Sequence, residues 1–412
     1  MSPFPREVYR PLEPYAPDRR PIAVDLSDNT NRWGAHPGAL RAVREADPEE
    51  LLRYPPVYAD RLREAVARRF GVPEEAVATG CGSDDLLDSA FRAAGEPGEG
   101  VAFVPPTFSM IEIFARMNGM VPMPVVGGAS SPARTGLSGS GAGPDAGAPV
   151  DAGALLDPAA LLEGNPALVY LCRPNNPTGD VQPLRWIEEL VEAGGTDGPV
   201  ILLDEAYAEF MEEPSFLQRA VDTSRVVVLR TLSKVYGLAG LRVGFAVGAP
   251  EVIREMEKSR GPYKVNRVGE AAGVAALEDP EGWVPGIVAA VRSGRVALVR
   301  ELRSRGFAPL ASGANFVCVP LGRGRPAHGS DEEPHDGPAF REVPPTAAAV
   351  TAALRERDVA VRPFPGLPGI GEAIRVSIGP PEEMARFLSA LDGMLDGIPH
   401  GEAPDPEQPE VE

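Results

Sequence analysis

Residues 225–248 read RVVVLRTLSKVYGLAGLRVGFAVG and contain two short apolar runs joined by a turn-forming segment. Both runs have the length and the valine content of strands that are buried on both faces of a sheet. Lys234 lies between them, and the chain has two other lysines, Lys258 and Lys264, among 40 lysine and arginine residues. Because arginine cannot lose its proton, a lysine kept here indicates chemistry that needs a neutral amine, such as formation of a Schiff base.

Apolar runs of the same kind precede this stretch and alternate with helical patterns. Their sequences are EAVATG, GVAFVPP, PALVYLC and GPVILLDEAY. Near-continuous apolar strands that alternate with helices are typical of a mostly parallel sheet covered by helices on both faces. The sequence therefore predicts an α/β fold.

The composition on either side of this region divides the chain further. A proline- and arginine-rich start predicts an arm, and one long helical pattern at 281–306 leads into a smaller α+β domain. Two stretches rich in Gly, Ser and Pro cannot bury a core, so they are predicted to be loops, either tolerated surface insertions or functional lids. The predicted parts are an arm at 1–44, a large domain at 45–280 with an insertion at 127–153, a small domain at 281–396 with an insertion at 322–338, and a disordered tail at 397–412.

The charge and the cysteines narrow the class of protein. A formal net charge of −19 argues against binding to nucleic acid or to an anionic membrane surface, because both need clustered positive charge. The cysteines Cys81, Cys172 and Cys318 have no paired spacing, so neither a disulfide framework nor a zinc site is predicted. No segment has the apolar length of a signal peptide or a membrane span. We expect a cytoplasmic protein without a bound metal.

Polar residues follow several of the predicted strands directly. In an open parallel sheet, ligands bind beyond the carboxyl ends of the strands. Asp204 follows four apolar residues, and a carboxylate there is costly unless it meets a cation, although it could also cap the next segment. Asn176, in CRPNNPTGD, offers an amide to the same crevice, although turn formation alone would explain it.

A glycine turn in ATGCGSDDLLDSAF joins a predicted strand to a helix. The backbone N–H groups of Gly82, Ser83 and Asp84 would point at an anion there, although many helices begin this way without a ligand. Arg242 follows Lys234 in the chain and provides a second cation, which would lower the pKa of a buried lysine. An amine, a carboxylate, an amide, an anion site and a fixed cation together match the needs of pyridoxal 5′-phosphate.

The motifs, in this order, resemble those of fold-type I pyridoxal-phosphate-dependent aminotransferases of class I and II, in particular the histidinol-phosphate aminotransferase group. The matching segments are LEPYAP, RYPPVYADRLREAVARRFGV, GCGSDDLLDSAF, PPTFSMIEIFARMNG, RPNNPTG, DEAYAEF, TLSKVYGLAGLRVGF and RVSIG. The resemblance implies the fold-type I architecture and transfer of an amino group from an amino acid such as glutamate to a keto or aldehyde acceptor with an anionic group, as in amino-acid biosynthesis. A decarboxylase on the same scaffold, of the threonine-phosphate type, is the alternative.

The resemblance also implies the roles of the residues that hold the cofactor. Lys234 is similar to the Schiff-base lysine that also moves a proton, and Asp204 is similar to the acid that keeps the ring nitrogen protonated. Tyr207 and Asn176 match positions that hydrogen-bond the ring oxygen. Phe108 matches the aromatic residue that stacks on the ring, although a core position would also suit it.

A phosphate cup and a homodimer follow from the same resemblance. The residues that match the cup are Gly82, Ser83, Asp84, Ser233 and Arg242. Tyr54 in RYPP matches a tyrosine that reaches the phosphate across a homodimer interface, and its alternative is an ordinary half-buried tyrosine.

Tyr15, Arg362 and Arg375 match substrate-binding positions, together with Asn176. In AIRVSIG, apolar residues alternate with Arg375, which places the arginine on the face opposite to the core, as an exposed edge strand also would. Guanidinium groups suit both carboxylates and phosphates, so these residues do not decide between the two. A specialised biosynthetic relative competes with a histidinol-phosphate enzyme, because the chain departs from the family pattern at Thr30, Trp33, His36 and Lys264.

Overall fold

The computed structural model describes residues 4–14, 16, 18, 20–126, 156–322 and 345–396. The predicted insertion at 127–153, all but the first residue of that at 322–338, and the predicted tail at 397–412 lie outside the described residues.

The described residues form strands of two to seven residues. The strands are β1 (Val24–Asp25), β2 (Val77–Gly80), β3 (Gly100–Phe103), β4 (Val121–Pro124), β5 (Leu168–Cys172), β6 (Val200–Asp204), β7 (Val226–Thr231), β8 (Gly244–Gly248), β9 (Phe316–Pro320), β10 (Val359–Ala360), β11 (Arg362–Leu367) and β12 (Gly371–Ser377).

Helices alternate with most of these strands. The helices are α1 (Pro37–Arg44), α2 (Asp60–Phe70), α3 (Gly82–Ala94), α4 (Met110–Met117), α5 (Leu184–Gly194), α6 (Pro250–Lys258), α7 (Arg267–Glu278), α8 (Trp283–Ser304), α9 (Ala347–Arg355) and α10 (Pro381–Asp396). Helix α8 agrees within two residues at each end with the pattern predicted at 281–306.

The large sheet contains seven strands in the order β2-β8-β7-β6-β5-β3-β4. The strands from β7 to β4 are parallel neighbours, whereas β8 is antiparallel to both β2 and β7. Residues 232–243 join β7 to β8 without a crossover helix, so the chain returns in the opposite direction. The mostly parallel α/β fold predicted from the sequence is confirmed, and Lys234 lies in this connection.

The central strands are buried on both faces, which explains their near-continuous apolar sequences. In β6, Ile201 and Leu203 pack in one apolar cluster, whereas Leu202 packs in a second cluster on the opposite face. In β7, Val228 and Val227 divide in the same way. The polar residues at the ends of these strands therefore enter a site that a packed core holds rigid.

A small antiparallel sheet has the order β11-β12-β9. Because β12 lies between two neighbours, Arg375 is in a central strand, which excludes the exposed-edge alternative. Strand β1 pairs in parallel with β10, with Val24 opposite Val359, and this pairing joins the N-terminal segment to the C-terminal part of the chain. Neither two-residue strand was predicted, because such a strand is too short to show a periodic pattern. The predicted domain boundaries stay predictions.

Within the part of the chain that the structure describes, none of the helices combines the length and apolarity needed to cross a bilayer. The same residues include no group of three or more His, Cys, Asp or Glu side chains arranged to hold a metal ion.

Candidate active site

The site lies where the carboxyl ends of β5, β6 and β7 meet the segment after β1 and the middle of β12. Asp204 ends β6, Asn176 follows β5 and Lys234 follows β7. Long-range contacts join these parts, because Lys234 Nζ donates a hydrogen bond to the carbonyl oxygen of Asp28 at 3.2 Å and Arg375 donates one to Asn176. Both sheets therefore contribute to one crevice.

Lys234 is partly buried, and its Nζ lies 5.4 Å from the centre of the Tyr207 ring. Loss of hydration, and then the nearby guanidinium of Arg375, lower the pKa of Lys234 to about 8. The sequence assigned the second-cation role to Arg242, and that assignment was wrong: the cation with the largest effect is Arg375, from the small sheet. With a pKa of about 8, roughly one tenth of this amine is uncharged at pH 7.

Asp204 is buried and hydrogen-bonded. Its Oδ2 accepts from the Tyr170 hydroxyl at 2.9 Å, and its Oδ1 accepts from the Ala206 N–H at 3.1 Å, so the carboxylate also caps the turn after β6. Burial raises the pKa of Asp204 to about 6, although both hydrogen bonds oppose the shift. Among the described residues, no Lys, Arg or His nitrogen lies within 4.0 Å of this carboxylate. It can therefore accept a cationic group from a ligand.

The Tyr207 hydroxyl is held by Asn29, whose Nδ2 donates to it at 3.1 Å. Asn29 is itself fixed by Ser377 and Asn315, and its φ of 56° lies in the left-handed region. Asn29 was not predicted from the sequence as a site residue. The polar run DLSDNTN after an apolar stretch is the signal that could have found it.

The two asparagines of the CRPNNPTGD turn have different tasks. Asn175 makes the turn contacts, since its Nδ2 donates to the carbonyl oxygen of Pro106 at 2.9 Å and to the Thr178 hydroxyl at 2.6 Å. Asn176 instead accepts a hydrogen bond from Arg375 through its Oδ1. Asn175 therefore stabilises the turn, and Asn176 faces the crevice.

Arg375 is buried between two aromatic rings, with its guanidinium carbon 5.3 Å from the Phe316 centroid and 5.5 Å from the Phe364 centroid. Its Nη2 donates to the Ser27 carbonyl oxygen at 2.6 Å, and its buried Nε has no hydrogen-bond partner among the residues that the structure describes. Burial lowers the pKa of Arg375. Arg362 lies directly opposite it in the β11–β12 pair. The two cations can receive an anionic substrate group.

The predicted phosphate cup is compact. Gly82 begins α3 with φ +77°, and a Cβ there would lie 2.6 Å from Arg242 Nη2. A Cβ on Gly244 would lie 2.7 Å from the Ser83 nitrogen, so both glycines allow close approach of the chains. Arg242 reaches the Ser233 hydroxyl at 3.5 Å and the Asp84 carboxylate at 3.4 Å. These residues lie together at the start of α3, and their role as a phosphate cup stays a prediction.

Phe108 is half-buried just before α4 and packs beside an apolar cluster that includes Phe103 and Ile111. The preceding residue, Thr107, donates to Asn175 Oδ1 at 2.8 Å and so ties this segment to the turn after β5. The stacking role of Phe108 stays a prediction.

Tyr54 is 79% exposed and stacks on Tyr263, with the ring centroids 4.8 Å apart. It therefore takes no part in the crevice of its own chain. Tyr15 lies outside the described residues.

Two of the positions that depart from the family pattern have structural partners. His36 is buried, accepts from the Ala39 N–H at the start of α1, and lies 3.0 Å from Asp279. Lys264 lies 2.7 Å from Asp85, in the first turn of α3 next to the cup.

The chain matches the family model for aminotransferase class I and II over residues 21–391. It is 33% identical to the histidinol-phosphate aminotransferase of Symbiobacterium thermophilum, covering 95% of this chain and 98% of that protein. It is 32% identical to the aromatic amino acid aminotransferase of Thermobifida fusca, and the match covers 94% of this chain and 96% of that protein. These two names differ in substrate but agree in reaction class.

Among solved structures, the chain resembles histidinol-phosphate aminotransferase from Sinorhizobium meliloti, which was solved in complex with pyridoxal 5′-phosphate. The TM-score is 0.74 at 26% identity, and the match covers 92% of each chain. The family, fold class and enzyme class predicted from the motifs are confirmed. The chain therefore belongs to the class I and II aminotransferase family.

Proposed function

We propose that this chain is a pyridoxal-phosphate-dependent aminotransferase that transfers an amino group from an amino acid, with glutamate as the expected donor, to a keto or aldehyde acceptor with an anionic group. The observation that carries the proposal is that Lys234, with its lowered pKa, shares one crevice with the cation-free carboxylate of Asp204 and the buried guanidinium of Arg375. Its relatives are named aminotransferases, which favours this reaction over decarboxylation.

The residues present fit the cofactor. Asp204 offers a buried carboxylate that lacks a cation, as a protonated ring nitrogen requires. Arg242 lies within hydrogen-bond distance of Ser233 and would bind phosphate together with the first turn of α3. When bound, pyridoxal phosphate would supply an aldehyde and a ring that withdraws electrons.

The chain's own residues would perform the proton and orientation steps. Lowering the pKa of Lys234 from 10.5 to about 8 raises the uncharged fraction of the amine at neutral pH about 300-fold. Lys234 Nζ would hold the cofactor and then accept and return a proton at the reacting carbon. Tyr207 and Asn176 would orient the ring oxygen, and Asp204 would keep the ring nitrogen protonated.

Arg375 would bind the carboxylate or phosphate of the substrate, with Arg362 as its helper. Two aromatic rings hold the guanidinium of Arg375 in place, and its Nε has no partner in the described part of the chain. A fixed guanidinium with one donor to spare supports this role. Whether the acceptor is of the histidinol-phosphate type or belongs to a specialised biosynthetic pathway is the finer question. A screen of phosphorylated against carboxylate-bearing acceptors, with Arg362→Ala as the paired variant, would answer it.

The reaction class is tested with glutamate alone. The holoenzyme mixed with glutamate and no acceptor should lose the visible absorbance of its bound cofactor and release 2-oxoglutarate in a single stoichiometric turnover. Release of CO₂ from an amino acid without an acceptor would select the decarboxylase instead. An unchanged spectrum with every common donor would refute the proposed transfer.

We also propose a cytoplasmic homodimer in which Tyr54 reaches the phosphate site of the second copy. The exposed apolar residues Leu51, Leu52 and Tyr54 lie close together in the chain, and Tyr54 is stacked on Tyr263. Such a patch on a surface is typical of a protein–protein contact. Sedimentation of the holoenzyme at micromolar concentration should give the mass of two chains, and a stable monomer with full activity would contradict the proposal.

A further inference from the structure

A row of buried charges runs along the back of the strand ends that carry the site. Asp204 is paired with Cys172 of β5 and with Leu229 of β7 across the sheet. Because successive residues of a strand point to opposite faces, Arg173, Glu205 and Arg230 share the other face. Backbone hydrogen bonds continue the strand pairing as far as these three residues. The Arg173 N–H donates to the Asp204 carbonyl oxygen at 2.8 Å, and the Glu205 N–H donates to the Leu229 carbonyl oxygen at 2.9 Å.

Glu205 is the centre of the row. Its Oε1 lies 3.4 Å from Arg173 Nη1, and its Oε2 lies 3.1 Å from Arg230 Nη2. It also accepts from the Phe216 N–H at 3.1 Å and from the Ser215 hydroxyl. The side chains of Arg173 and Glu205 are 0% exposed. The central carboxylate is therefore saturated by donors from three segments of the chain.

The outer ends of the row are held as well. Arg173 donates to the Gln182 carbonyl oxygen at 2.7 Å and to the Pro214 carbonyl oxygen at 3.0 Å. Arg230 donates to Glu209 Oε1 at 2.9 Å, and the side chain of Arg230 is 6% exposed. Two guanidinium groups and two carboxylates balance each other, so the row adds no net charge to the core.

Stability alone does not explain such a row. Replacing a buried ion pair by apolar residues of similar volume is often neutral or stabilising, because desolvation of the charges opposes their attraction. A well-packed apolar face would therefore hold these strands together equally well. What the row adds is a fixed geometry, since each charge can occupy one place between its partners.

The position of the row in the chain shows what this geometry serves. Glu205 directly follows Asp204, and two residues separate Arg173 from Asn176. Two residues separate Arg230 from Ser233, and Lys234 comes next. We propose that Arg173, Glu205 and Arg230, with Glu209, are positioning residues that fix the three strand ends from which the acid, the amide and the lysine reach the cofactor. This inference rests on the proposed function.

The test uses Glu205→Gln, which keeps the shape of the side chain and removes its charge. We expect kcat per bound cofactor to fall about tenfold or more, because small displacements of catalytic groups are costly. The pH midpoint of the bound cofactor's visible absorbance should shift by about half a unit, since its lysine and acid partners move. The affinity of the cofactor-free protein for pyridoxal phosphate, followed by tryptophan fluorescence, should also fall.

A control separates positioning from stability. Asp392→Asn removes the charge from the pair between Asp392 of α10 and Arg305, the residue that follows α8; the nitrogen–oxygen distances are 2.6 and 2.9 Å. It should lower the melting temperature without changing the absorbance midpoint or kcat. If Glu205→Gln behaves in the same way, the row has a structural role only and the inference is overturned.

Glu205→Gln leaves two buried arginines with one carboxylate and can fail to fold. In that case the balanced variant Arg173→Gln/Glu205→Gln carries the test with the same readouts, and a wild-type midpoint and kcat in it would overturn the inference. If the wild-type protein binds pyridoxal phosphate and turns over, and the variants have the same midpoint and kcat, only the inference is refuted. A wild-type protein that neither binds the cofactor nor reacts with glutamate refutes the proposed function and the inference with it.

Discussion

Asp204 and Glu205 are consecutive buried carboxylates with opposite surroundings. Asp204 faces the crevice, receives a tyrosine hydroxyl and a backbone N–H, and has no cation within ion-pair distance among the described residues. Glu205 faces the back of the sheet between Arg173 and Arg230. One face of the strand end thus keeps an uncompensated charge for a ligand, and the other face uses compensated charges as scaffold.

The largest effect is expected for the amine on the crevice side. Lys234→Ala should remove the visible absorbance of the bound cofactor and lower the turnover with glutamate by at least about 10³-fold, because a covalent attachment and a proton carrier are both lost. Borohydride reduction followed by peptide mapping should place the cofactor on residue 234 of the wild type.

Lys258→Ala is the matched control, since Lys258 is exposed and paired with Glu255 at 2.6 Å. It should leave the absorbance and the turnover unchanged. Retained turnover in Lys234→Ala, or cofactor fixed to another side chain, would contradict the assignment.

The next effect concerns Asp204 itself. Asp204→Asn keeps the hydrogen-bonding shape and removes the charge, so kcat should fall about 10²- to 10³-fold while the fold persists, because a neutral ring nitrogen withdraws electrons poorly. Steady-state kinetics on cofactor-saturated protein and circular dichroism measure the two quantities. A tenfold change in rate corresponds to about 1.4 kcal/mol of activation free energy, so a threefold change is small. A kcat within threefold of wild type would show that this carboxylate does not act on the ring.

The same carboxylate makes the cofactor-free protein pH-sensitive. The folded pKa of Asp204 is about 6 and its reference value is 3.8, so its contribution to stability is greatest below the reference value and is lost as the pH rises through the folded value. Between pH 4 and pH 7, Asp204→Asn should gain up to about 3 kcal/mol relative to the wild type in the free energy of unfolding. Parallel urea titrations of both apo-proteins at several pH values measure this difference. A constant difference would contradict the raised pKa.

A smaller effect is expected at the substrate end of the crevice. Arg375→Lys keeps the charge but loses the fork that reaches Asn176 and Ser27, so KM for glutamate should rise about tenfold, with cofactor affinity unchanged. Initial-rate kinetics and cofactor titration separate the two. The control is Arg386→Ala on α10, outside the crevice, which should be silent; an unchanged KM in Arg375→Lys would remove this arginine from the substrate site.

The smallest effect tests whether the site is completed by a second chain. Tyr54→Phe removes one hydroxyl that would reach the partner's phosphate. The dissociation constant of pyridoxal phosphate should therefore rise about threefold, which corresponds to the net free energy of about one hydrogen bond. Equilibrium dialysis measures it. An unchanged constant would assign Tyr54 to surface packing against Tyr263.

Much of the fold was readable from the sequence, because strands buried on both faces need continuous apolar runs and these runs are local. The polar residues at their ends, Asp204, Asn176 and Lys234, were readable for the same reason, since a parallel sheet brings the carboxyl ends of its strands together. The short pairing of β1 with β10 was not, because two residues carry no period.

The sequence by itself determined the α/β sheet, the order of the motifs and the identity of the rare lysine. The tertiary structure alone decided that Arg375, and not Arg242, lowers the pKa of Lys234, that Asn29 holds Tyr207, and which of two adjacent asparagines faces the crevice. The physical reason is that these contacts join residues far apart in the chain, and a pKa depends on burial and on neighbours in space. Composition and spacing report neither quantity.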